Sequence, residues 1–214
     1  TKDMLDKPEK NYPLRMIWCE DCTDVQIDYC VDGSEVYHPE YPYKSGVTKE
    51  LVEYQVKIAE SLIKKYSLKP NDLVVDIGSN DGTLLSGFKG TEIRTVGVEP
   101  TNIAKIANAN GIETVQAFFD IKTSDVVKSK HGEASLIITT NTFAHMQGLG
   151  EFIMGAYNLL KDGGVFVSET HYLLNVVEGG QFDTVYHEHL RTYSLKALVT
   201  LFDQYDFTVT DVER

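Results

Sequence analysis

Two carboxylates and a glycine-bounded turn stand where a sheet edge would offer them to a ligand. Val74-Val75-Asp76-Ile77 runs into Gly78-Ser-Asn80-Asp81-Gly82, and Thr83-Leu84-Leu85 opens a helix at once. A buried parallel strand ending in such a turn brings backbone N–H groups and a carboxylate to the carboxyl edge of a sheet. Open α/β folds bind nucleotide-like ligands there. Glu99 ends the next apolar run, 23 residues after Asp76. A second-strand carboxylate that takes ribose hydroxyls sits at about this offset (~20 residues). The residues therefore predict a ribose-bearing ligand. A plain strand-to-helix connector is the bland alternative, weakened by an acid at the matching strand end.

The spacing separates the ribose cofactors. A dinucleotide fold uses G-x-G-x-x-G so that backbone can crowd a pyrophosphate. Here the pattern is Asp76-x-Gly78-x-x-x-Gly82, with Asn80 and Asp81 inside the turn. Two acids repel a diphosphate and attract a ligand that carries an amino group and a sulfonium. S-adenosylmethionine (SAM) fits that description, and a nicotinamide or flavin cofactor is the disfavoured alternative.

A second reactive stretch is Tyr186-His187-Glu188-His189. Imidazole changes protonation near neutral pH, which suits proton transfer. On an extended segment His187 and His189 would face together, opposite Glu188. That geometry leaves open a pair of imidazole metal ligands, although H-E-x-x-H is absent. A surface loop with chance histidines is the third reading. Cys19-x-x-Cys22 is half of a closed tetrahedral zinc site, which needs four ligands. Cys30 and His38 offer no recognised spacing, and no thioredoxin-like context supports a redox pair.

Regular elements must position these groups. A long helix is expected from Thr48, with Thr48 as cap and Glu50 in the first turn. Leu51, Tyr54, Ile58, Leu62 and Tyr66 mark its apolar face, and Lys69-Pro70-Asn71 stops it. Strands are then expected at 72–77, 93–98, 112–116, 134–140, 164–169 and 207–213. Helices are expected at 83–89, 101–109, 123–130, 149–160 and 194–205. Lys161-Asp-Gly-Gly164 reads as a turn into the fifth strand, and Ser194 as the cap of the last helix. This alternation predicts an α/β fold with a Rossmann-like, doubly wound, mostly parallel sheet over residues 48–214. Residues 1–47, rich in Tyr, Pro, Asp and Cys, read as a small irregular N-terminal lobe with a hairpin around 14–27.

Charge and composition narrow the partners. The formal net charge of −12 argues against a nucleic-acid phosphate partner and an anionic membrane surface. No apolar run approaches the ~20 residues of a membrane span, and no signal peptide is visible. Three cysteines make no complete disulfide framework, so the expected location is cytoplasmic. The chain opens on Thr1 and is expected to be a piece of a longer protein.

Five motifs together, Cys19-x-x-Cys22, Tyr41-Pro-Tyr43-Lys-Ser45, the Val74–Leu85 loop, Gly97-Val-Glu99-Pro100 and Tyr186-His-Glu-His189, carry a resemblance. The chain resembles class I SAM-dependent methyltransferases from about Tyr12 to its C-terminus. More narrowly, it resembles the C-methyltransferases of nucleotide-linked keto-deoxysugars. The resemblance implies SAM as cofactor, with Gly78, Asn80 and Asp81 around its methionine part, Asp76 and Gly82 also binding it, and Glu99 on its ribose. Phe118 and Phe119 would lie beside the adenine, or serve as ordinary core. Asn141, Phe143 and His145 would line the reaction side. Tyr41 or Tyr43 would reach the substrate. A sugar carbon becomes a nucleophile only when the proton beside its ketone is removed. His189 would be that base, Tyr186 its partner on the substrate oxygen, and Glu188 would orient an imidazole or hold sugar hydroxyls. His187 would be structural.

The family also has a cysteine pair upstream of Cys19 and a further C-terminal domain. Cys19 and Cys22 would thus belong to the remnant of a zinc-binding domain, the chain would be truncated at both ends, and self-association would cover the open sheet edge. Other functions remain open: O- or N-methylation of another small metabolite, a SAM-binding module without its substrate domain, and a nucleotide-cofactor oxidoreductase.

Overall fold

The computed structural model describes residues 8–38 and 40–214. Its N-terminal lobe begins with a hairpin, β1 (Met16–Trp18) against β2 (Val25–Ile27), inside the stretch expected to turn back. A short helix, α1 (Gly33–Val36), follows Asp32, whose carboxylate accepts from Ser34 N. The long helix α2 (Lys49–Lys65) starts where Thr48 Oγ1 accepts from Leu51 N. Its buried residues are Gln55, Ala59 and Leu62, while Tyr54 is exposed, so the buried face is rotated from the expected stripe. The cause is a close approach: a Cβ on Gly87 would lie 2.6 Å from Ala59 Cβ. Two small residues bring the elements together there.

Strand and helix then alternate: β3 (Leu73–Ile77), α3 (Thr83–Ser86), β4 (Arg94–Val98), α4 (Ala104–Ala109), β5 (Thr114–Val115). There follow α5 (Ile121–His131), β6 (Ala134–Thr140), α6 (Leu149–Leu159) and β7 (Leu160–Glu169). The five strands form one parallel sheet in the order β5-β4-β3-β6-β7. β3 is buried at every position, as a strand covered on both faces must be. The chain winds outward from β3 to β5, then returns to β6 on the other side of β3. Such a reversal leaves a crevice at the carboxyl ends of the central strands.

Two apolar clusters flank the sheet. One is aromatic, with Phe143, Phe152, Phe166, Tyr193 and Phe202. The other joins Ala59 and Leu62 to Leu84, Leu85, Phe88 and Ile112. Last come α7 (Leu173–Glu178), β8 (Arg191–Thr192) and α8 (Leu195–Asp203), with Ser194 capping Ala197 N. β8 pairs antiparallel with β2, Val25 opposite Thr192 and Gln26 opposite Arg191. The lobe thus takes its third strand from the far end of the chain, which brings Tyr186–His189 against it.

Several expected elements differ. Residues 207–213 form no strand. Phe207 packs into the aromatic cluster, and Lys65 holds Asp211 and Glu213 by ion pairs, so side chains fix this segment instead of a ladder. Among the described residues β7 pairs only with β6, and a groove of about 1190 Å³ separates its outer side from the tail. The Lys161–Gly164 turn lies inside β7 as a bulge, because Ala134 faces Leu160 while Leu136 faces Val165. The helix expected from 101 starts at Ala104 because Glu99 Oε1 accepts from Thr101 N at 2.9 Å and Thr101 Oγ1 at 2.7 Å. The helix expected over 83–89 ends at Ser86, where the bonds tighten to Phe88 N on Leu85 O. Among the described residues no helix is long and apolar enough to cross a membrane.

Candidate active site

Asp76 and Glu99 end adjacent strands and are both buried, at 1% and 5% exposure. Asp76 Oδ1 has no hydrogen-bond partner among the described residues. Burial, then the charge of Glu99, pushes its carboxyl up to about 7. A buried unpaired carboxylate beside a second one favours a cation. The ammonium of SAM is a cation of that kind, so the donor set fits this cofactor and opposes a diphosphate. Gly78 turns the chain after β3 with φ +75, and a Cβ there would lie 2.3 Å from Thr142 Oγ1. Only glycine fits both the conformation and the space.

A strap from the lobe lies over this loop. Asn80 Oδ1 accepts from Ser45 N at 2.8 Å, and its Nδ2 donates to Tyr43 O at 3.2 Å. Asp81 Oδ2 accepts from Gly46 N at 2.9 Å, while Oδ1 accepts from Thr83 Oγ1 at 2.6 Å, capping α3. Asn80 N donates to Glu99 Oε2 at 3.0 Å. Gly82 takes φ +79 at the cap of α3. Phe118 is half exposed, its ring 3.7 Å from the space above Gly33. Phe119 is a core residue instead, buried edge-on against Phe152 at 5.4 Å. β5 ends at Val115, and the next residues turn one phenylalanine out and one in.

Beyond β6, Asn141 takes φ +52 and donates from Nδ2 to Glu169 Oε1 at 3.1 Å. Tyr54 OH donates to the other oxygen of Glu169 at 2.8 Å. Phe143 does not line the site: it is wholly buried and stacks on Tyr193 and Phe202. The adjoining turn sends Phe143 inward and His145 toward the lobe.

Three imidazoles meet there. His145 and His189 centroids are 5.0 Å apart, and His171 and His189 are 4.6 Å apart. His189 Nδ1 lies 2.7 Å from Thr184 O. A carbonyl only accepts, so Nδ1 carries the hydrogen and Nε2 the lone pair. Tyr186 OH lies 3.1 Å from that Nε2 and donates to it. Glu188 accepts from Tyr41 OH at 3.2 Å. Among the described residues it bonds no imidazole. The Tyr43 ring is more than half exposed. Burial pushes His145 down to about 3 and lowers His171, with His189 adding to both.

The segment 186–189 is a turn and not extended: His189 N donates to Tyr186 O at 3.0 Å. His187 therefore points away from His189, to Pro13 O at 3.1 Å and the Tyr12 ring. The paired-imidazole metal geometry is lost with it. No group of three or more His, Cys, Asp or Glu among the described residues could hold a metal ion. Cys19 and Cys22 lie in the β1–β2 turn as free thiols. Sequence reading missed Tyr37, Tyr54, His171 and Thr184. His171 carried a signal, since it follows the carboxyl end of a strand. Tyr37 carried none.

A five-stranded parallel sheet with acids at the ends of its first two strands defines the class I SAM-dependent methyltransferase fold. The chain belongs to the methyltransferase-domain family, whose model matches residues 51–212. It is similar to C-methyltransferase NovU of Streptomyces niveus, 32% identical over 205 residues, covering 95% of this chain and 49% of that protein. The chain thus spans about half the length of that relative. Among solved structures, a SAM-dependent methyltransferase from Archaeoglobus fulgidus matches at TM-score 0.56 and 17% identity, over 71% of this chain and 69% of that one. A chain from the complex of the Haloferax volcanii Trm112 methyltransferase activator with a methyltransferase matches at TM-score 0.53 and 15% identity, over 78% and 80%. At these identities both bear on the fold alone. The expected class and fold are borne out, and the nicotinamide or flavin alternative falls.

Proposed function

We propose that this protein methylates a carbon of a nucleotide-linked keto-deoxysugar, with SAM as methyl donor. The observation that supports it most is that His189 Nδ1 donates to Thr184 O, which puts the ring lone pair on Nε2, where Tyr186 OH donates to it. O- and N-methylation need no strong base; methylation at carbon does. When bound, SAM supplies an electrophilic methyl on a sulfonium. Asp76 would hold its ammonium, Glu99 its ribose hydroxyls and Phe118 its adenine, with Gly78 and Gly82 shaping the loop and Asn80, Asp81 and Asn141 bordering it.

His189 Nε2 removes the proton beside the ketone, and the electrons move onto the ketone oxygen. As the substrate enters, Tyr186 frees the Nε2 lone pair by turning its hydroxyl hydrogen to the ketone oxygen. His145 lies beside His189 and offers a donor to the oxygen on which charge develops, the kind of contact worth about 10²–10³ in rate. Tyr41 and Glu188, bonded to each other, and Tyr43 at the rim meet the sugar hydroxyls. The reading includes a cytoplasmic setting, supported by three free thiols.

The test has two arms. Calorimetry with SAM, S-adenosylhomocysteine and NAD should give binding for the first two only; NAD binding without response to SAM would sink the reading. Carbon-13 NMR of the product formed from methyl-labelled SAM and a nucleotide-linked keto-deoxysugar should place the label on carbon. A label on oxygen would reject the base assignment.

A further inference from the structure

Tyr37 ends α1 and reaches His145 across the lobe boundary. Its hydroxyl lies 2.6 Å from His145 Nδ1, and the two rings stand 19° from parallel. Among the described residues this is the hydroxyl's one hydrogen-bond partner. If Nδ1 carried the hydrogen, the phenol would accept and its own hydrogen would go unpaired. The pair is part-buried, so that loss falls below the ~1–3 kcal/mol of a fully buried unpaired donor. A lone pair on Nδ1 avoids that: the phenol donates, and the imidazole hydrogen sits on Nε2. Burial keeps both partners uncharged, lowering the imidazole and raising the phenol above its usual range. Nε2 itself has no partner among the described residues.

We propose that Tyr37 is a positioning residue that fixes His145 as the Nε2–H tautomer, a neutral donor beside the His189 lone pair. The two neighbouring imidazoles then hold opposite tautomers, each set by one hydrogen bond: His189 by Thr184 O, His145 by Tyr37. A neutral donor suits this place. An imidazolium 5.0 Å away would make His189 a weaker base by like-charge repulsion. Its catalytic consequence rests on the carbon-methylation reading above; the tautomer itself does not.

Long-range proton–nitrogen NMR on histidine-labelled protein reads the tautomer directly, with His145→Asn to assign the signals. The native protein should show a protonated Nε2 and a bare Nδ1 on His145, and Tyr37→Phe should mix in a population with the hydrogen on Nδ1. A protonated Nδ1 in the native protein, or an unchanged tautomer in Tyr37→Phe, overturns the proposal. No turnover enters this readout, so it stands or falls apart from the substrate reading. On a nucleotide-linked keto-deoxysugar, Tyr37→Phe should lower kcat about 10- to 100-fold, less than loss of a whole donor, with the KM for SAM unchanged. A shifted tautomer with native kcat would overturn the positioning role.

Discussion

At the Asp76 end of the site the contacts span tens of positions at most; at the His189 end two local bonds are joined by others that span more than a hundred. Asn80 reaches Glu99 across 19 positions, whereas Tyr37 reaches His145 across 108 and Tyr41 reaches Glu188 across 147. The first half is made by two adjacent strands and their turns, and its acids are driven into the core by the sheet itself. The second half lies where β8 pairs with β2 of the lobe and 186–189 lies against it. Cofactor capture therefore rests mainly on backbone geometry within the sheet, and the proton-transfer chemistry combines a local turn that sets His189 with docking of distant segments.

The difference predicts separable defects. His189→Ala should lower kcat by about 10²–10⁴, the usual worth of a general base, and leave S-adenosylhomocysteine affinity intact in calorimetry. Equal loss of both would mean that the halves are one unit. Gly78→Ala should act in reverse. Its φ of +75 and the 2.3 Å approach to Thr142 force the loop to shift. Strain of about 1–3 kcal/mol should weaken S-adenosylhomocysteine about 5- to 150-fold, and native affinity would count against the loop geometry.

Asp76 sharpens the comparison through pH. Its carboxyl is raised from 3.8 to about 7 in the folded protein. The folded state thus holds a proton that the unfolded state has lost, and stability falls as pH rises through that window. Denaturant melts of the unliganded protein should show that fall between pH 4 and 7, and Asp76→Asn should flatten it while weakening SAM. A flat native profile would contradict the unpaired carboxylate. The smallest effect on the site is expected at Asp72, at the opposite end of β3. Its carboxylate is held down to about 2 by Lys161, Ser135 and the Lys69 N–H. Asp72→Asn should cost about 2 kcal/mol at neutral pH, a contribution lost in the native protein as pH falls from about 4 to 2. Both halves should keep their affinities and rates.

What could be read in the sequence follows the same division. Asp76, Gly78 and Glu99 were legible because strand, turn and acid are contiguous and the sheet fixes their direction. The parallel alternation was legible for the same reason. Residues 186–189 were legible as chemistry and not as geometry: a turn, set by contact with Pro13 and Thr184, replaced the extended segment. Phe119 and Phe143 illustrate the limit differently. Which of two neighbouring positions turns inward depends on the aromatic cluster that waits for it. Tyr37 stands at the far end of this scale, since nothing near it in sequence announces His145.

The most direct test follows the proton. The protein is incubated in deuterium oxide with a nucleotide-linked keto-deoxysugar and S-adenosylhomocysteine, so that no methyl can transfer, and exchange beside the ketone is followed by NMR. Exchange in the native protein and its loss in His189→Ala is the predicted result. Undiminished exchange in His189→Ala, or none in a native protein that still methylates the sugar, would contradict the account.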